Sequence, residues 1–184
     1  MRKKGDKMNV PNILTVIRLF LVPMFIIVFF SSLEKALLYS VLIFIIAGIT
    51  DVLDGFIARK YNLITKWGQV VDPFADKMMQ LTVLVCFSIK KYISVWFAII
   101  YGIKELSMIF GGLFLYTKKE KVVIPANSFG KVATVTFYLA VLSVAVKYKY
   151  STYIFIIAIA FALLAFVKYS IIGSNKLKQL QEKK

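Results

Sequence analysis

The sequence contains no histidine. That absence removes imidazole as a general base and as a ligand, and with it most transition-metal sites. A single cysteine, Cys86, allows neither a disulfide within the chain nor a cysteine-built zinc site. Acidic residues are scarce too: nine Asp and Glu stand against 24 Lys and Arg, a formal net charge of +15. Any base the chain uses must therefore be a carboxylate, a lysine or a tyrosine.

What the chain has is apolar length. Hydrophobic residues make up 60% of its 184 positions and the mean hydropathy is +0.78, outside the range of soluble domains. The composition implies an all-α integral membrane protein, read as one domain over residues 1–184. The net charge alone would suit a nucleic-acid binder. The basic residues, however, lie between apolar stretches and no nucleic-acid-binding signature accompanies them, so no such partner is expected. They read instead as topology signals and as attraction to anionic lipid headgroups.

Six apolar stretches, about 11–31, 34–58, 68–89, 92–116, 128–146 and 152–172, predict six transmembrane helices. Residues 1–10, with Arg2, Lys3, Lys4 and Lys7, read as a retained basic N-terminus, since no convincing cleavage site follows. Residues 59–67 and 117–127 read as basic loops, the first with Tyr61 and Trp67 as interface anchors, and 173–184 as a basic tail. Lysine and arginine concentrate in these four segments, which predicts both termini in the cytoplasm and the functional cleft at that side.

Four of the nine acidic residues fall within Asp51–Asp76. Asp51 and Asp54 are spaced to share one helix face, as are Asp72 and Asp76. They close one apolar helix and open the next, and consecutive helices joined by a short loop pack antiparallel, so the two pairs are expected to meet. Four carboxylates in apolar surroundings, with no arginine paired to each, need neutralising. Divalent metal held by oxygen ligands does this, and two such ions suit displacement at a phosphoryl group. Gly55 and Ala58 present almost no side chain, so a flat ligand can approach closely, and Arg59 supplies a cation for phosphate. Asn12, Thr15 and Arg18 recur every three residues on one side of the first helix. Arg18 either snorkels to the headgroups or faces a polar cleft and meets phosphate. An ion pathway lined by carboxylates is the reading from a different class, but it leaves Gly55, Ala58, Arg59 and Gly68 without a purpose.

The run Asp51-x-x-Asp54-Gly55-x-x-Ala58-Arg59, then eight residues, then Gly68-x-x-x-Asp72-x-x-x-Asp76 resembles the signature of the CDP-alcohol phosphatidyltransferases at every fixed position. The six-helix layout is similar over nearly the whole chain. The resemblance implies an enzyme that moves a substituted phosphate from a CDP-linked lipid to an alcohol and releases CMP. It further implies two divalent ions, Mg²⁺ or Mn²⁺, a homodimer and a bacterial cell membrane. Carried over residue by residue, Asp51, Asp54 and Asp72 are metal ligands. Asp76 lies on or near the second metal and is the base for the acceptor hydroxyl. Asp51, Asp54, Gly55, Ala58, Arg59 and Gly68 surround the CDP group. PNILTVIR, DPFADK and the GKVAT around Lys131 look like the phosphatidylglycerophosphate synthases of that family, which join CDP-diacylglycerol to glycerol 3-phosphate. Arg18, Lys104 and Lys131 are then the cations for the acceptor phosphate. The chain departs from those synthases in the fourth helix. Lys104-Glu105 stands where Arg-Glu is usual, and small residues around Gly111 and Gly112 stand where a second arginine is usual. Cardiolipin synthases, whose acceptor is phosphatidylglycerol, are the alternative within the superfamily.

Overall fold

A computed structural model describes residues 9–63, 65–117 and 128–182, and their side chains except those of 66–67, 69–70, 109–117, 128 and 176–182. Among the described residues there are six helices and no strand: α1 (Val10–Phe29), α2 (Ala36–Lys60), α3 (Lys66–Ile89), α4 (Val95–Thr117), α5 (Ser128–Ala145) and α6 (Ser151–Glu182). They form two compact units, Met1–Lys90 and Lys91–Lys184.

The first unit is organised by one stripe of α1. Pro11, Asn12, Thr15, Arg18, Val22, Phe25 and Phe29 are its buried residues, at the alternating three- and four-residue spacing that keeps side chains on one helix face. The stripe changes character along its length, from Asn12, Thr15 and Arg18 to Val22, Phe25 and Phe29. Pro11 sits at the helix start, where its missing N–H has no intrahelical partner to lose. The apolar half packs aromatically. Phe25 stacks on Phe29 at 5.6 Å between centroids, and Phe29 stacks on Phe87 of α3 at 5.6 Å. Helix α1 touches both α2 and α3, which touch one another less. In α2, Ser40, Phe44, Ala47 and Asp54 are buried, a spacing that also takes in Asp51. The start of α1, the end of α2 and the start of α3 therefore gather the polar residues at one end of the unit.

Helix ends follow from local chemistry. Helix α2 closes with Asn62 in the left-handed region, φ 53°, and the Leu63 N–H reaches back to the Ala58 carbonyl at 3.0 Å. Asparagine tolerates that conformation better than most residues with a Cβ. Thr65 caps α3, its hydroxyl accepting from the Gly68 N–H at 2.9 Å. The cap starts α3 at Lys66, before the expected start at 68. Pro73 lies beyond the first four positions, so its missing N–H falls in the hydrogen-bonded body of the helix.

The second unit has an aromatic cluster of its own. Tyr101 of α4 lies 5.6 Å from Phe137 of α5. Phe155 of α6 lies 6.2 Å from Phe137 and 6.1 Å from Phe97. Helix α5 ends with Lys147 in the left-handed region, φ 53°, where Tyr148 N–H bonds the Ser143 carbonyl at 2.8 Å. Helix α6 continues through Glu182, ten residues past the expected end, because LKQLQE is made of good helix formers.

Among the described residues, three helices are long and apolar enough to cross a bilayer: α1, α2 and the Ser151–Asn175 part of α6; Phe129–Ala145 is a shorter apolar helix. Helix α3 carries Asp72, Asp76 and Lys77, and α4 carries Lys104 and Glu105. With large apolar side chains such as Phe20, Ile27 and Trp96 more than half exposed, this is an integral membrane protein. The basic N-terminal residues Arg2, Lys3, Lys4 and Lys7 and the loop lysines Lys118, Lys119 and Lys121 lie outside the described residues, as does the side chain of Trp67.

Candidate active site

The polar half of the α1 stripe reaches every element of the aspartate run. Asn12 Oδ1 accepts from Thr65 Oγ1 at 3.0 Å, and Thr65 in turn caps α3. Thr15 donates to Asp72 Oδ1. Arg18, 1% exposed, pairs through Nη1 with Asp51 Oδ1 at 2.8 Å and through Nη2 with Asp54 Oδ2, and Nη1 also donates to the Asp72 carbonyl at 3.3 Å. Two residues one turn apart, Thr15 and Arg18, thus hold three aspartates of two other helices, and Asn12 holds the cap of α3. Asp51 lies close enough to Asp76, and Asp54 to Asp72, for each to feel the other's charge.

One arginine, Arg18, serves two of the four carboxylates, so there is still not an arginine for each. Its guanidinium lies inside the unit and does not extend away from it. Arg18 Nε is buried without an acceptor among the described residues, an omission worth about 1–3 kcal/mol. An arginine held there at that penalty is kept for its charge.

Asp76 is held separately. Gln80 Nε2 donates to both its oxygens, at 3.0 and 2.9 Å, and Lys77 Nζ lies 3.5 Å from Oδ2. Gln80 escaped the sequence reading. Its signal was there, since it stands four residues after Asp76 on the same helix face. Thr65 escaped it too, as a threonine just ahead of an apolar helix that marks a cap.

Gly68 sits where a larger residue would be crowded. A Cβ there would lie 3.0 Å from Thr65 Oγ1, 3.1 Å from Asn12 Oδ1 and 3.3 Å from Asp72 Oδ2. Gly55 differs: the atoms nearest a Cβ there would be those of the Arg59 guanidinium, 3.5 Å away on the next turn of α2, and that flexible side chain can move. Arg59 therefore folds back over Gly55, with Ala58 half-buried beside it.

The other named cations belong to the second unit. Lys104 and Glu105 are both buried, with Nζ 2.6 Å from Glu105 Oε1 and 4.9 Å from the Tyr101 ring centroid. Lys131 is exposed in the first turn of α5.

Among the described residues no three acidic or cysteine side chains stand close enough together to hold one ion. The donors nevertheless suit a hard divalent cation chemically, being carboxylate oxygens without histidine or thiolate. Helix α1 takes one oxygen each from Asp51 and Asp72, and their second oxygens make no hydrogen bond or ion pair with described residues. Outer hydrogen bonds that orient a carboxylate while leaving an oxygen for metal are the usual support of such sites.

The family profile described as CDP-alcohol phosphatidyltransferase matches residues 8–165. Three bacterial proteins named CDP-diacylglycerol--glycerol-3-phosphate 3-phosphatidyltransferase are similar to this chain. The one from Haemophilus influenzae is 46% identical over 79 residues, 43% of each chain. That from Wigglesworthia glossinidia brevipalpis is 44% identical over 93 residues, 50% of each. That from Rickettsia felis is 34% identical over 126 residues, 68% of each. The first two matches span about half the length of those relatives. The profile match runs from α1 into α6 and includes every aspartate held by the α1 stripe, and the chain belongs to the CDP-alcohol phosphatidyltransferase family.

Proposed function

We propose that this protein transfers the phosphatidyl group of CDP-diacylglycerol to glycerol 3-phosphate, giving phosphatidylglycerophosphate and CMP. The observation that carries this reading is the gathering of four aspartates at one end of α1, α2 and α3, in a family whose relatives here bear that enzyme name. The acceptor hydroxyl attacks the phosphorus that bears the diacylglycerol. A new P–O bond forms, the bond from that phosphorus to the CMP phosphate oxygen breaks, and the hydroxyl proton passes to Asp76. Gln80 and Lys77 fix the orientation of Asp76 for that transfer.

Asp51, Asp54 and Asp72 would hold Mg²⁺ or Mn²⁺, with Asp76 serving a second ion, and the bound metal stabilises charge on the transferring phosphoryl group and on departing CMP. The cytidine end of the donor lies against Gly55 and Ala58, close to Gly68, with Arg59 on its phosphates. Lys104 and Lys131 meet the acceptor dianion, which needs charge-assisted contacts; Arg18 serves the same end of the reaction through the carboxylates it holds. The six helices cross a bacterial membrane with both termini and the cleft on the cytoplasmic side, and the protein works as a homodimer.

The test is purified protein with CDP-diacylglycerol, Mg²⁺ and radiolabelled glycerol 3-phosphate, followed by thin-layer separation of lipids. Label is expected in a lipid product with matching CMP release. If no label enters lipid while phosphatidylglycerol is converted to cardiolipin with CMP release, the acceptor is wrong and the sister activity takes its place.

A further inference from the structure

Arg18 makes contacts that its part in the proposed reaction leaves unexplained. It is 1% exposed, its two terminal nitrogens lie on Asp51 and Asp54, one of them also on the Asp72 carbonyl, and its Nε has no acceptor among the described residues. One delocalised charge is therefore spread over two of the carboxylates assigned to metal. A guanidinium and a divalent ion on the same pair of carboxylates repel one another, and inside a protein that repulsion is weakly screened. Each also supplies what the other would, since either neutralises buried negative charge.

We propose that Arg18 is a built-in counter-ion, antagonistic to the divalent cation at Asp51 and Asp54. The fold of the α1–α3 unit is held by either positive charge, and the presence of one lessens what the other contributes. The consequence is a negative coupling: removing the arginine charge tightens metal binding and makes folding depend on metal. Arg18 is in these terms a positioning residue and a brake on metal affinity. This inference rests on the metal reading of the aspartates given above.

Thermal unfolding of the detergent-solubilised full chain tests it, in EDTA and in saturating Mn²⁺, for the wild type, Arg18→Gln, Arg18→Lys and Val22→Ala. In EDTA, Arg18→Gln is expected to melt well below the wild type, and Mn²⁺ to raise its melting temperature several times more than that of the wild type. Mn²⁺ titration followed by electron paramagnetic resonance should show the variant binding more tightly. Val22→Ala loses buried apolar packing in the same α1 stripe but no charge and no contact to an aspartate, so it should melt lower in both media with a wild-type-sized Mn²⁺ shift. A purely structural Arg18 would behave as Val22→Ala does, and equal shifts for Arg18→Gln and the wild type overturn the proposal. Should Arg18→Gln fail to fold in EDTA, Arg18→Lys carries the test. Lysine lacks the fork that spans two carboxylates, so its Mn²⁺ shift should exceed the wild-type value, and an equal shift overturns the proposal. If Mn²⁺ shifts neither the wild type nor any variant, the metal reading itself fails and takes this inference with it.

Discussion

The two units bury charge in opposite ways. In the first, Arg18 reaches from α1 to two carboxylates of α2 and a carbonyl of α3, so its ion pairs span helices. In the second, one buried pair among the described residues joins Lys104 to its own neighbour Glu105, within one turn of α4. A pair within one helix forms whenever that helix forms and says little about where other helices lie. A pair between helices forms only when three elements meet correctly. The first unit is thus built to fix positions, as a site that must align reacting atoms requires.

The sharpest way to break the contrast is to remove one carboxylate from each unit. Asp54→Asn should lower CMP release by about two orders of magnitude, the effect of disturbing an essential electrostatic group. EDTA should have the same outcome or a larger one. Glu105→Gln should instead act on stability, by about 3–5 kcal/mol, because it removes the carboxylate that lies 2.6 Å from a buried lysine. Its turnover per folded molecule should fall much less. Thermal melts alongside CMP assays separate the two, and an Asp54→Asn protein with near wild-type turnover would show the site to be misassigned.

Two glycines sharpen the same comparison. A Cβ at Gly68 would crowd Thr65, Asn12 and Asp72, whereas one at Gly130 of α5 would meet only Tyr169, at 4.0 Å. Gly68→Ala is expected to cost about 1–3 kcal/mol, as overpacking commonly does, and to lower turnover by displacing Asp72. Gly130→Ala should be neutral or slightly stabilising, since alanine is the better helix former. Equal losses in both would mean that the crowding around Gly68 relaxes without consequence.

A smaller effect is expected at Lys131. Lys131→Ala should raise the KM for glycerol 3-phosphate about tenfold, the worth of one charged hydrogen bond, with less change in the KM for CDP-diacylglycerol. Initial-rate kinetics at varied concentration of each substrate decide it. The smallest effect concerns helix ends. Lys147→Gly should stabilise by about 1 kcal/mol, since a lysine in the left-handed region is strained. Asn62→Gly should gain less, because asparagine already tolerates that geometry. Chemical or thermal melts of the two variants give the ranking.

Much of the first unit was legible in the sequence because periodicity and spacing are local. The run from Asn12 to Arg18 lay on one face as its three-residue recurrence required, and the two aspartate pairs came to one end as antiparallel neighbours must. What escaped was partner choice. Nothing in the spacing says that Arg18 meets Asp51 and Asp54, since they lie 33 and 36 positions further on and the contact depends on how the helices turn about their axes. Gln80 and Thr65 were passed over because a polar residue beside a stronger motif looks like solvation. The long α6 was missed because a drop in hydropathy after Ile172 ends a membrane span without ending a helix.

The burial of Arg18 also bears on how the chain enters the bilayer. Arg18 lies eight residues into α1, ~12 Å from its start at the usual helical rise, and its partners are synthesised only as α2 nears its end. A nascent α1 released alone into lipid would carry that charge unmatched, at a cost of a few kcal/mol. We therefore expect α1 and α2 to leave the translocation machinery as a hairpin, with the ion pair as its latch. A chain truncated just before Asp51 should integrate less efficiently than one truncated after Lys60, and Arg18→Leu should erase that difference. Integration of staged nascent chains into microsomes or inverted vesicles measures both.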